Sequence, residues 1–113
     1  MANTKIYGAT GETLAKQYLI EKGYKILQVN YETKIGEIDI IAKDKNTIVF
    51  VEVKARNSLI FGLPREAVTE QKQYKIQRVA QFYLMKTKNF DKPIRFDVIE
   101  ILGDMVTHIQ NAF

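Results

Sequence analysis

With 113 residues, no cysteine and 17 basic against 13 acidic side chains, the chain has the length of one domain and a net charge of +4. The missing cysteines exclude disulfides, thiolate zinc sites and a cysteine nucleophile, and fit a reducing cytosol. No apolar run approaches the roughly 20 residues that span a bilayer, and the start, MANTKIYGATGE, lacks the apolar core of a secretory leader; the expectation is a soluble cytoplasmic protein that leans towards polyanionic partners.

In chain order, GATG at Gly8–Gly11 lacks the Lys-Ser/Thr of a phosphate loop and reads as a turn. An amphipathic helix is expected from about Thr10 to Lys22, with Leu14, Ala15, Tyr18 and Leu19 as its apolar stripe and Gly23 as its stop. Glu12 sits at the edge of that stripe; in a first turn it would serve merely to complement the helix dipole. Tyr24–Tyr31 reads as a strand, and Glu37–Lys43 and Thr47–Ala55 as a hairpin. The connection from Arg56 to Leu63 is unusually apolar, with Leu59, Ile60 and Phe61, which suits core packing, a DNA contact or a dimer contact. A second helix is expected from Pro64 to about Lys86, with Ile76, Val79, Ala80 and Tyr83 as its core stripe. IRFDVIEIL, from Ile94 to Leu102, is apolar on both faces, as a central strand is, and a last short strand lies around Met105–Ile109. The order is α-β-β-β-α-β-β: a mixed central sheet flanked by helices.

The hairpin carries the chemistry. A two-residue turn at Lys45–Asn46 makes cross-strand partners sum to 91, so Asp39 is expected opposite Glu52 and Glu37 opposite Lys54. Strand side chains alternate, so these four share one face. The other face would show Ile38, Ile40 and Ala42 against Val49, Val51 and Val53. Opposed carboxylates have Cβ atoms only about 5 Å apart and repel, which calls for protonation, a basic neighbour or a cation. An all-oxygen ligand set suits a hard divalent ion such as Mg²⁺ or Mn²⁺, and Lys54 supplies a fixed charge that can steady an anionic transition state. The plainer alternative is a solvated sheet face with a Glu37–Lys54 ion pair.

Lys72 falls on the same helix face as Ile76, Val79 and Tyr83, so it either reaches an acidic site or a phosphate, or snorkels from the core edge. With Lys75 and Arg78 it makes the second helix the chief candidate for phosphate-backbone contact, against the simpler reading of a solvated basic face. Arg56 either clamps a phosphate or pairs with a nearby acid. Arg95 and Asp97 share a face of the central strand and are expected to support each other, and His108, the only histidine, reads as structural or surface.

An acid, then Glu-x-Lys across a hairpin, with a glutamate on a preceding helix, resembles the PD-(D/E)xK nuclease superfamily, and within it the archaeal Holliday-junction resolvases. Nearly the whole chain is similar to the YraN family of endonuclease-like proteins. The shared pieces are Gly11–Glu12, Gly23–Tyr24, Asn30, GEIDIIA from Gly36, FVEVKAR from Phe50, Phe61–Gly62, Lys72, RFDVI from Arg95 and the tail HIQNAF. The resemblance implies a restriction-endonuclease-like three-layer α/β sandwich. It matches Asp39 and Glu52 to metal-binding acids, Lys54 to the catalytic lysine and Glu12 to the helix carboxylate completing the site. The PD dipeptide itself is absent, since Ile38 precedes Asp39. The implied activity is Mg²⁺- or Mn²⁺-dependent cleavage of branched or structured DNA, with Glu37 as a supporting partner or an extra ligand and a homodimer as the form resolvase-like enzymes adopt. The alternative is a non-catalytic nucleic-acid-binding module on the same fold.

Overall fold

The structure is a computed structural model that describes residues 4–56 and 68–113, with side chains from residue 11 onward. Seven elements follow in the order expected: α1 (Thr4–Glu21), β1 (Lys25–Glu32), β2 (Glu37–Asp44), β3 (Thr47–Arg56), α2 (Glu70–Lys86), β4 (Ile94–Leu102) and β5 (Met105–Ile109). The five strands form one sheet in the order β1-β2-β3-β4-β5. It is mixed: β3 and β4 run parallel, the other neighbours antiparallel. A parallel pair cannot be joined by a tight turn, so the stretch between β3 and β4 crosses over and carries α2 with it.

Each face of the sheet buries its own apolar layer, which makes the α/β/α sandwich. On one face Ala15 and Leu19 of α1 pack with Tyr24, Ile40, Ala42, Val49, Val51, Ile99 and Ile101. On the other, Ile76, Val79, Ala80, Tyr83 and Leu84 of α2 pack with Ile38, Ile41, Ile48, Phe50 and Val98. Burial on both sides explains why β4 reads as an almost unbroken apolar run.

Two boundaries differ from the sequence expectation. Helix α1 begins at Thr4, so GATG lies inside it rather than in a turn before it. A Cβ added at Gly11 would come 3.1 Å from the Ala55 Cβ, so this residue lets the helix backbone ride close over β3. Helix α2 begins at Glu70 rather than Pro64, because the Thr69 hydroxyl accepts the Lys72 N–H at 3.1 Å and caps it there. The Leu59–Leu63 stretch lies outside the described residues.

A buried polar network fastens the α1 face. Arg95 donates to both Asp97 oxygens, at 3.0 Å from Nε and 3.0 Å from Nη2, and its Nη1 lies 3.3 Å from Asp44. His108 Nε2 is 2.7 Å from Asp97, and its Nδ1 is 3.2 Å from the Tyr18 hydroxyl. Mutual support between Arg95 and Asp97 and a structural His108 are therefore what the structure contains. No described helix is long and apolar enough to cross a membrane.

Candidate metal and phosphate site

The hairpin register is the expected one at the turn end: Asp44 pairs with Thr47, Ala42 with Val49 and Ile40 with Val51. Lys45 takes a left-handed φ of 57° to close the turn. Past Ile40 and Val51 the paired register ends. There the Asp39 carboxylate accepts the Val53 N–H at 2.8 Å, in place of a ladder bond. Two further irregularities coincide with this point. Asn30, on β1, has φ 50°, and Ile38 packs with the α2 layer while Ile40 packs with the α1 layer. The strict alternation expected for Ile38, Ile40 and Ala42 is thus broken at Asp39. The strands separate and leave a cleft whose floor is carboxylate.

That cleft, about 340 Å³, is lined by Gly36, Glu37, Asp39 and Glu52 from the sheet and Thr69, Lys72 and Lys75 from α2. Glu52 is buried, at 5 % exposure, and cannot stay charged there without partners. It has two: Lys72 Nζ at 2.6 Å and Lys54 Nζ at 3.5 Å from the same Oε2. Lys72 therefore faces the site rather than snorkelling away. Burial works to lower the pKa of its ammonium, but the Glu52 carboxylate outweighs burial and the net shift is upward.

Asp39 lacks such a partner and shows the consequence. Burial, then the charge of Glu52, then those of Glu12 and Glu37 raise its pKa from 3.8 to about 7, against the opposing Val53 N–H. Glu37 is also raised, by burial first and then by Glu32, Glu12 and Glu52. The expected Glu37–Lys54 pairing is not formed. Glu37 stands opposite Glu32 of β1, and Lys54 turns to Glu52. The reason is the strand separation at Asp39, which carries Glu37 away from β3 before it can reach Lys54.

Glu12 reaches Asp39 from the α1 side. Both line a second cavity of about 220 Å³ with Thr13, Lys16 and Asn30. Because α1 begins at Thr4, Glu12 lies two turns into the helix, beyond the first-turn reach of the dipole. Asp39 therefore lines both cavities, with Glu52 on one side and Glu12 on the other. Among the described residues no three His, Cys, Asp or Glu side chains already sit as a ready metal cage.

The basic candidates divide. Lys72 and Lys75 line the cleft. Arg78 does not; it lies outward along α2, donating to the Tyr74 hydroxyl at 3.0 Å. Arg56 meets an acid: its Nε is 3.4 Å from Glu100 Oε1. Glu100 was not legible as a neighbour of the site. It is 2 % exposed, pairs in register with Lys54, and its oxygens have no hydrogen bond among the described residues. The only sequence signal was a carboxylate interrupting the apolar run of β4.

Residues 11–101 match the model of the Uncharacterised protein family UPF0102. A UPF0102 protein of Caldanaerobacter subterraneus subsp. tengcongensis is 51% identical over 118 residues, covering 98% of this chain and 97% of the relative. One from Clostridioides difficile is 51% identical over 113 residues, covering 98% and 99%. One from Alkaliphilus oremlandii is 52% identical over 117 residues, covering 98% and 99%. With end-to-end matches at half identity, and the hairpin inside the matched span, the chain belongs to the UPF0102 family, the YraN family.

Proposed function

We propose that this chain is a divalent-cation-dependent endonuclease that cleaves DNA phosphodiesters in branched or structured substrates. The observation that carries the reading is the opened hairpin. Asp39 and Glu52 converge where the strands part, and two lysines, Lys54 and Lys72, reach Glu52. The donor set is made of carboxylates alone, which fits Mg²⁺ or Mn²⁺. Asp39 and Glu52 would hold the ion, with Glu12 joining from the α1 side. The high pKa of Asp39 marks a negative charge that a cation would relieve. When bound, the ion supplies Lewis acidity to the phosphate and acidifies its water.

The chain's own residues supply the remainder. Lys54 stands beside the metal acids, only partly exposed, and neutralises charge that develops on the phosphorane oxygens. Lys72 and Lys75 hold flanking phosphates along the α2 wall of the cleft. Lys72 also balances Glu52 when the cation is absent. Arg56 is held by Glu100 near the end of β3, at the mouth where a phosphate would pass. Glu37 supports the site through its charge on Asp39.

Duplex, flap and four-way-junction DNA, incubated with Mg²⁺ or Mn²⁺, test the reading. Cleavage is expected, and Lys54→Ala is expected to lower it by about 100-fold or more; cleavage unchanged in Lys54→Ala would overturn the mechanism. One observation favours a second reading, a nucleic-acid-binding module without catalysis: Glu52 is already neutralised by two lysines. Calorimetric titration with Mn²⁺ separates the two. Heat that vanishes in Asp39→Asn and Glu52→Gln supports the enzyme, and absent heat with tight DNA binding supports the module.

A further inference from the structure

Beyond the cleft, on the far side of the β1–β2 turn, lies a groove of about 380 Å³. Tyr31 and Ile35 form one wall, Phe82 of α2 the other, and Glu32, Lys34 and Lys86 are its charged residues. Phe82 is 47% exposed and Ile35 40%, so two large apolar side chains stand open to water next to one another. A lone exposed apolar residue is ordinary, but a paired wall with a cavity between is a binding feature.

The groove continues a repeating pattern along α2. Tyr74, Arg78, Phe82 and Lys86 follow at intervals of four, which keeps them on one slowly winding stripe of the helix. The Arg78 guanidinium lies 5.8 Å from the centre of the Tyr74 ring, and Lys86 Nζ lies 5.9 Å from that of Phe82. Flat rings alternate with cations, the arrangement that suits stacked bases joined by phosphates. In α2 only Glu70 opposes Lys72, Lys75, Arg78 and Lys86. Two copies of so basic a face repel each other, whereas a polyanion is drawn to it.

The groove and the cleft share a wall. Gly36, at the end of the β1–β2 turn, sits under α2, where an added Cβ would lie 3.7 Å from Val79 and 3.8 Å from Lys75. The cleft opens on one side of that contact and the groove on the other. Lys72 and Phe82 are ten residues apart, or about 15 Å along the helix axis. A strand lying on α2 therefore reaches both.

Resting on the nuclease reading of the cleft, we propose that this groove takes one unpaired nucleotide of a DNA strand. Its base stacks on Phe82, and Lys86 and Lys34 meet its phosphates. The substrate class is then DNA with an unpaired segment a few nucleotides from the cleaved phosphate, and blunt duplex is a poor ligand for the groove.

The chain has no tryptophan, so Phe82→Trp introduces a single reporter at the groove. Titration with a single-stranded thymidine oligonucleotide is expected to quench its emission, and a blunt duplex of equal length is expected not to. Phe82→Ala should weaken single-strand binding by about tenfold and duplex binding by less than about twofold, with its far-ultraviolet circular dichroism unchanged. Single-strand binding without quenching, or equal losses for both DNAs, overturns the proposal. A dimer in sedimentation that Phe82→Ala dissolves also overturns it, because a second copy then fills the groove. Mn²⁺ titration of the wild-type protein keeps the two readings apart. Quenching without Mn²⁺ heat leaves the groove standing and removes the metal site; heat without quenching removes the groove alone.

Discussion

A carboxylate with 5 % of its surface exposed has to be compensated or discharged, and Glu52 and Asp39 show the two outcomes side by side. Glu52 keeps company with Lys72 at 2.6 Å and Lys54 at 3.5 Å. Asp39 has one backbone N–H and otherwise acidic neighbours, so its pKa rises from 3.8 to about 7. Between those values the folded protein holds a proton that the unfolded chain has released. The contribution of Asp39 to metal-free stability is therefore most favourable below pH 4 and is lost as pH rises through about 7. Thermal unfolding in chelator from pH 5 to 8 is expected to show wild type losing stability relative to Asp39→Asn, whose amide can still accept the Val53 N–H. Parallel curves for the two proteins would show that Asp39 is not the titrating group.

At the scale of elements, the site depends on where each one starts and stops. Strand β2 leaves β3 after Ile40, which frees the Val53 N–H for Asp39 and opens the cleft. Helix α2 starts at Glu70 because Thr69 caps it, and this phase points Lys72 at Glu52 from the third helical residue. Thr69→Ala is expected to cost about 1 kcal/mol in urea denaturation. It should also fray the turn that carries Lys72, seen as faster amide exchange at Lys72 and Gln73 than at Val79 and Ala80. Equal exchange across the helix would show that the cap does not set the lysine. Gly11 acts similarly in α1, letting the helix that carries Glu12 lie against Ala55.

For the whole molecule, the sheet separates two polar clusters. One is the carboxylate–lysine cleft beneath α2; the other is the Arg95–Asp97–His108 network on the α1 face, which joins β4, β5, Tyr24 and Asp44. Burial would raise the pKa of Asp97, but hydrogen bonds from His108, Arg95 and the Asn111 N–H outweigh it and hold it below 3.8. The stabilisation is thus complete above the unfolded value and lost as pH falls below about 4, through the folded one. Asp97→Ala leaves Arg95 without its buried partner and is expected to cost about 3–5 kcal/mol in urea denaturation. It should do so without altering Mn²⁺ heats beyond the fraction unfolded. A variant that folds as stably as wild type while losing those heats would place Asp97 in the site rather than in the scaffold.

Much of this was set by local pattern. Period-two alternation and the two-residue turn determined the hairpin and its register near Lys45, and the seven elements follow the order that hydrophobic periodicity indicates. The full-length likeness to UPF0102 likewise lies in the string of residues itself. Alternation cannot show where a ladder ends, because that depends on neighbouring strands. Glu37 was therefore assigned to Lys54, when β1 holds it opposite Glu32. Nor does a lysine on an apolar helix stripe declare its partner; the packing of α2 over the sheet chose Glu52 for Lys72. Glu100 met Arg56 only when β4 came to lie beside β3 in parallel. The sequence by itself determined the elements and the residue types of the cleft, through short-range sterics and periodic burial. Only the tertiary structure decided which charges meet, because attraction and repulsion between side chains act at distances that the fold, not chain order, creates.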